Sequence, residues 1–147
     1  MRVYHEIYIY KRIVQAKLFI DHHFCDDIDL HNIASEAYFS KFHFVRLFKT
    51  IYGKTPHQYL IKVRLENAKI LLEKNATVMD TCFGVGFSSV TSFTELFKIH
   101  FRISPSKYRS AYKQRQDQIK AYPFQFVPNC FIEQKDWNQK SNFQEVL

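Results

Sequence analysis

Apolar residues fall along this chain at helical spacing, interrupted by short polar breaks. From Tyr10 to Phe24, Ile13, Lys17 and Ile20 share one side, with Val14, Leu18 and Asp21 beside them, which predicts a first helix with a broad stripe. Cys25-Asp-Asp-Ile28 breaks it. Asp29 offers an N-cap to a short second helix with Leu30, Ile33, Ala34 and Ala37 on one face. Beyond the turn at Tyr38-Phe39, Ser40 caps a third helix. Its Phe44, Leu47, Phe48 and Ile51 form a buried stripe, and it ends at Gly53. Thr55-Pro56 is a capping hydroxyl followed by proline at the first helical position, where a missing N–H costs nothing. It opens a fourth helix running to about Glu73. Ile61, Leu65, Ala68 and Leu72 mark one face of that helix, and Tyr59, Val63 and Ile70 another, as suits a rod packed between two bodies.

Thr77 and Asp80 give a capping-box-like start to a fifth helix carrying Val78, Cys82 and Val85. Gly84-Val-Gly86-Phe87 is a turn, with Gly86 free to take positive φ. Ser89 caps a sixth helix with Phe93, Leu96 and Phe97 inward, and Ser104-Pro105 starts a seventh that ends near Tyr112. The expectation is an all-α fold of about seven helices. From Lys113 onward Gln and Lys recur, and the prolines of the Tyr122-Pro-Phe-Gln-Phe-Val-Pro128 stretch forbid a long helix there, which predicts an extended or partly ordered tail.

One phrase occurs twice. Ser40-Lys-Phe-His-Phe-Val-Arg-Leu-Phe-Lys49, then Thr55-Pro56 and Tyr59, is matched by Ser89-Val-Thr-Ser-Phe-Thr-Glu-Leu-Phe-Lys98, then Ser104-Pro105 and Tyr108. Ser40/Ser89, Phe44/Phe93, Leu47/Leu96, Phe48/Phe97, Lys49/Lys98, Pro56/Pro105 and Tyr59/Tyr108 keep one offset. Each copy supplies a short helix, a tight turn and a second helix, which is what a helix-turn-helix unit needs to present a helix to the major groove. With the Phe and Leu stripe inward, the outward residues are Lys41, Phe42, Val45, Arg46 and Lys49 in the first copy. In the second they are Val90, Thr91, Thr94, Glu95 and Lys98. Arg46 can pair bidentately with a guanine edge, Phe42, Val45, Val90 and the Thr methyls can meet thymine methyls, and Glu95 can accept from a cytosine amino group. Lys49 and Lys98 suit phosphate clamps or helix C-terminal charges, His43 suits a phosphate or packing role, and Ser40 and Ser89 open helices whose N–H groups can meet phosphate.

Each of these residues also has an ordinary alternative. Arg46 can be a solvated surface charge, Val90 and Thr91 first-turn packing residues, and Glu95 the partner of a neighbouring cation. If a rigid fourth helix, about 27 Å long at ~1.5 Å per residue, sets the spacing of the two reading helices, it falls short of the roughly 34 Å between successive major grooves on one face of DNA. A bend in the DNA toward the protein is then expected.

The charge is consistent with that partner. The 147 residues carry a formal charge of +7, which favours an anionic polymer or surface. Hydrophobic residues make up 46% of the chain, enough to exclude disorder. No apolar run approaches the roughly 18 residues of a spanning helix, and the N-terminus lacks a signal-peptide layout, so no membrane role is expected. Three scattered cysteines, Cys25, Cys82 and Cys130, make no disulfide framework and point to a reducing compartment. Seven His and three Cys show no metal-ligand spacing, and three Gly are too few for a phosphate loop. An enzyme is therefore not expected, and no cofactor or metal is implied.

The run Ile33-Ala34, Ser40 to Lys49, Gly53-Lys-Thr-Pro56, Tyr59, Arg64, Ala68 and Leu71-Leu72, followed by Val78, Val85-Gly-Phe-Ser-Ser89, Ser92-Phe93, Phe97-Lys98, Ser104-Pro105 and Tyr108-Arg109, resembles the DNA-binding domain of AraC/XylS-type bacterial transcription regulators. The resemblance covers about residues 10–112. It implies two helix-turn-helix subdomains (about 10–54 and 75–112) joined by a linker helix (55–74) within a domain 1–112, and a tail at 113–147. It also implies monomeric binding to a bipartite double-stranded DNA site, base contacts from the two reading helices, activation through RNA polymerase, and a cytoplasmic, nucleoid-associated location. A small-molecule effector or a dimer contact through the tail is left open. The chain departs from the family pattern at Cys82, where Ala is usual, and at Phe101-Arg102-Ile103, which lacks the Gly that often ends the sixth helix. It also departs in starting without an N-terminal effector domain, so a stand-alone form is expected. The rival reading is an RNA-binding or protein-interaction helical module, since exposed aromatics also stack on RNA bases.

Overall fold

The computed structural model describes residues 2–28 and 41–128, and the side chains of 7–28 and 42–128. Among the described residues the fold is all-helical: α1 (Arg2–His23), α2 (Lys41–Tyr52), α3 (Pro56–Glu73), α4 (Val78–Gly84), α5 (Val90–Phe101) and α6 (Pro105–Ala121), followed by a 3-10 turn at Pro123–Phe126. The expected second helix, with Asp29, Leu30, Ile33, Ala34 and Ala37, lies outside the described residues, as does the Ser40 cap. The chain divides into one compact unit ending at Tyr108 and a second beginning at Arg109.

Helix starts follow the capping chemistry. Thr55 accepts from the Gln58 amide while the Gln58 side chain accepts from the Thr55 amide, a full capping box ahead of Pro56. Thr77 accepts from the Asp80 amide, and Ser89 from that of Ser92. Helix α1 starts well before Tyr10. Ile7, Tyr8 and Tyr10 are exposed there, and an Arg12–Tyr8 hydrogen-bonded pair links successive turns. Its buried stripe is Ile13, Ala16 and Ile20, whereas Val14 and Leu18 stay exposed.

Two aromatic cores repeat the same geometry. In the first, Phe48 lies 5.8 Å from Phe44, 4.7 Å from Tyr52 and 5.7 Å from Tyr59, ring centre to ring centre. In the second, Phe97 lies 5.7 Å from Phe93, 4.6 Å from Phe101 and 5.9 Å from Tyr108. The duplicated phrase thus folds into the same four-ring packing twice.

The duplication extends further back than that phrase. Arg12, Ile13, Ala16, Lys17, Ile20 and Asp21 of α1 correspond at one constant offset to Arg64, Leu65, Ala68, Lys69, Leu72 and Glu73 of α3. The buried trio Ile13, Ala16 and Ile20 packs on the first core as Leu65, Ala68 and Leu72 pack on the second. Tyr59 donates to the Asp21 carboxylate at 2.8 Å, and Tyr108 donates to Glu73. Lys17 stands 5.7 Å over the Tyr59 ring and Lys69 5.9 Å over that of Tyr108. Helix α3 therefore serves twice. Its first turns, through Tyr59 and Leu60, close the first core as the start of α6 closes the second. Its second half stands to the second core as α1 stands to the first. The two apolar faces of α3 are successive along its length as well as around it.

The repeat also accounts for the end of α5. Gly53 ends α2 with φ +70, its N–H bonded to the Lys49 carbonyl at 2.8 Å. Arg102, at the equivalent position, takes φ +62 and bonds Lys98 at 2.9 Å. A side chain in this left-handed region costs about 1–2 kcal/mol. Arg102→Gly is therefore expected to stabilise the protein by about 0.5–1 kcal/mol, after the glycine's greater chain entropy is deducted. Urea denaturation reads this directly, and an unchanged or lowered midpoint would contradict it.

Helix α6 runs to Ala121 rather than stopping near Tyr112. Lys113 to Ala121 is rich in strong helix formers, and the stop comes only where Pro123 constrains the residue before it.

Candidate nucleic-acid interface

Helices α2 and α5 each have one face held in a core by two fully buried Phe rings, Phe44 and Phe48 in α2 and Phe93 and Phe97 in α5. The opposite face is left to solvent. On α2 the exposed face carries Phe42, His43, Arg46 and Lys49, with Val45 half-buried against the first core. Phe42 is 84% exposed, the most open of the large apolar side chains in the described residues. A solvated phenyl ring gains nothing by folding, so a partner surface is the economical account of it. Lys41 opens α2, but its side chain lies outside the described set. On α5 the outward residues are Thr91, Glu95 and Lys98, exposed, with Val90 and Thr94 half-buried. Val90 also packs on the second core, so the packing role is real for it and its outward contribution is partial. Ser89 is confirmed as the N-cap.

Glu95 and Lys98 line one shallow depression together with Ile99 and Arg102. Neither Ile99 nor Arg102 is among the outward residues that the sequence pattern marks. Ile99 is 65% exposed although it continues an apolar run, and only the orientation of α5 shows that it faces out. The depression mixes one acid with two cations, an arrangement in which Glu95 can tune its neighbours as well as accept from a base.

The framework behind these faces is polar as well as apolar. Lys17 donates to Asp21 at 2.6 Å, beside the Tyr59 hydroxyl on the same carboxylate. Those hydrogen bonds hold the Lys17 ammonium well above its ordinary pKa, while burial and the Asp21 contact raise that of Tyr59. A raised Lys pKa contributes stability that is complete below the ordinary ammonium value and is lost only as pH climbs past the folded one. This tie between α1 and α3 is therefore constant through neutral pH.

Arg64 is a second tie, and the sequence reading gave it no role of its own. Its Nε donates to the Phe24 carbonyl at 2.6 Å and its Nη2 to the Asp26 carbonyl at 2.8 Å. Its guanidinium lies 5.7 Å from the Phe87 ring centre. Burial lowers its pKa, countered by Asp27 and Cys25. Gly86 sits against the same place with φ +88, and a Cβ there would lie 2.8 Å from the Cys25 carbonyl oxygen. Cys82, buried behind that turn with its thiol pushed up by desolvation, takes the place of a small apolar residue.

Comparison with known proteins agrees with the fold. A helix-turn-helix domain family matches residues 33–111. The chain is 41% identical over 85 residues to a probable transcription factor, PqrA, of Proteus vulgaris, covering 57% of this chain and 70% of that one. Curated relatives differ in length: the chain spans only 29% of a Haemophilus influenzae helix-turn-helix regulator to which it is 33% identical over 58% of its own length. Among solved structures, the DNA-binding domain of the transcription factor AdpA in complex with a target DNA superposes with a TM-score of 0.69 at 30% identity. That match covers 72% of this chain and 96% of that one. A Chromobacterium violaceum regulator described as containing an AraC-type DNA-binding domain matches with a TM-score of 0.65 at 25% identity, covering 71% and 95%.

Proposed function

The chain belongs to the AraC-type family of helix-turn-helix transcription regulators, and on that premise we propose that α2 and α5 read two adjacent major grooves of one DNA duplex. It is a sequence-specific DNA-binding transcription regulator, and the family is not an enzyme class. The observation that carries the two-reader proposal is the matched pair of four-ring cores, each exposing the far side of one helix. In this reading Arg46 and Phe42 dominate the first half-site, and Thr91, Thr94 and Glu95, with part of Val90, read the second. Val45 supplies an apolar edge, while Lys41, His43, Lys49 and Lys98 and the helix starts at Ser40 and Ser89 hold phosphates.

The domain layout belongs to the same proposal: subdomains at about 10–54 and 75–112 joined by 55–74. Residues 113–147 would carry any contact with an effector or a second copy. Activation through RNA polymerase and a cytoplasmic, nucleoid-associated location go with the reading. Among the described residues no helix is long and apolar enough to cross a membrane.

Selection of binding sites from random duplexes tests the proposal. Two short motifs about one helical turn apart are expected, and a single motif would reduce the interface to one reader. The selected duplex should lose affinity steeply with salt, and equal binding to an RNA of the same sequence would favour the rival module. Helix α3 has 18 residues, about 27 Å. A circular-permutation mobility assay on the selected site should therefore show bent DNA. Straight DNA with both motifs protected would mean that α3 does not set the spacing.

A further inference from the structure

A single helix is a poor spacer by itself, because two bodies strung on one rod can twist about it and flex with it. In this fold the first core is joined to the second by something besides α3. The segment Phe24–Asp26, where α1 ends, crosses to the second core. The Phe24 side chain packs against both cores. The Cys25 carbonyl rests against Gly86, in the turn between α4 and α5, so closely that only glycine fits there. Arg64, midway along α3, closes the arrangement by holding the Phe24 and Asp26 carbonyls with two different nitrogens of one guanidinium while lying near Phe87. Arg12, the residue equivalent to Arg64 in the first repeat, bonds Tyr8 of its own helix.

We propose that Arg64 is a positioning residue, which sets the distance and angle between the two reading helices by clamping the Phe24–Asp26 strap to the Gly86–Phe87 turn. The inference rests on the two-reader reading. A planar guanidinium with donors in a fixed fork suits two carbonyls on one bend of chain, whereas an ammonium can face only one of them well. With two attachments in place, torsion about α3 is blocked and the second reader arrives already oriented when the first has bound. That is the condition for a high effective concentration between linked sites.

The test uses the full chain and duplexes built from the selected site: the intact site, the site with either half scrambled, and the site with one base pair inserted between the halves. The insertion displaces one half by about 3.4 Å and roughly 35°. The unmodified protein should lose about tenfold or more in affinity on insertion. Arg64→Met keeps the apolar stem and removes the donors. It should bind each half-site within about twofold of the unmodified protein, bind the intact site about tenfold more weakly, and lose most of its sensitivity to the insertion. Should Arg64→Met fail to fold, Arg64→Lys is read in the same way, with an intermediate insertion penalty expected. An undiminished insertion penalty in a folded variant overturns the inference. So does an equal loss on half-sites and intact site, which would mark Arg64 as merely structural. Indifference of the unmodified protein to the insertion overturns instead the two-reader reading beneath it.

Discussion

Phe97→Ala is expected to lower the unfolding free energy by about 3–5 kcal/mol, the range for removing a large aromatic from a packed core. The ring is fully buried, and Phe93, Phe101 and Tyr108 surround it with centroids 5.7, 4.6 and 5.9 Å away. Each such aromatic pair adds about 0.5–1.5 kcal/mol beyond area burial. A domain of this size has only about 5–15 kcal/mol in total, so the substitution removes a large share of it. The loss should fall unevenly. Phe97 belongs to the core of Leu65, Leu72, Cys82, Val85, Phe87 and Phe93, which shares no fully buried residue with the first. Hydrogen exchange should therefore accelerate across α4 and α5 before α2 responds, and binding to the second half-site should disappear first. Phe48→Ala should give the mirror result. Ile99→Ala, two residues from Phe97 but on the exposed face, should change stability by no more than about 0.5 kcal/mol. A loss below about 1 kcal/mol for Phe97→Ala would mean that the ring is not the centre of a packed core.

Arg46→Ala is expected to cost about 1–3 kcal/mol of binding, concentrated at one base position. The Arg46 side chain is exposed on the open face of α2, one turn beyond Phe42. A bidentate guanidinium–guanine pair is lost whole when the side chain is removed, and its loss matters only where the guanine stands. Site selection repeated with the variant should therefore return the same motif with that position relaxed. Lys98→Ala supplies the contrast: a phosphate contact should weaken all sequences alike and reduce the slope of log affinity against log salt by about one. If Arg46→Ala also weakened every sequence equally, Arg46 would be a backbone contact and the reading of the first half-site would have to rest on Phe42 and Val45.

Much of this was legible in the chain itself. The caps at Thr55, Thr77 and Ser89, the Phe stripes at 44/48 and 93/97, and the limits of α3 follow from short-range rules that tertiary packing did not override. Other features follow a stronger competing influence than the local rule. Helix α1 begins at Arg2, ahead of Tyr10, although residues before Tyr10 carry no clear apolar period by which a helix could be read. Helix α6 outruns Tyr112 because seven strong helix formers between Lys113 and Ala121 carry it on until Pro123 stops it. The correspondence between α1 and α3 was present in the sequence but diluted. The segments between it and the duplicated phrase differ in length, so the register shifts from one to the other.

The sequence by itself determined that a helical unit occurs twice and which side of each second helix is buried. Local periodicity and capping suffice for that, because both act within a few residues. Only the tertiary structure decided that α3 closes one core while backing the other, and that Arg102 takes the left-handed end Gly53 takes in the first repeat. It also decided that Arg64 reaches carbonyls some forty positions earlier. Those outcomes depend on where separate segments meet in space. A hydrogen bond from one helix to a bend far back in the chain leaves no periodic trace by which it could have been read in advance.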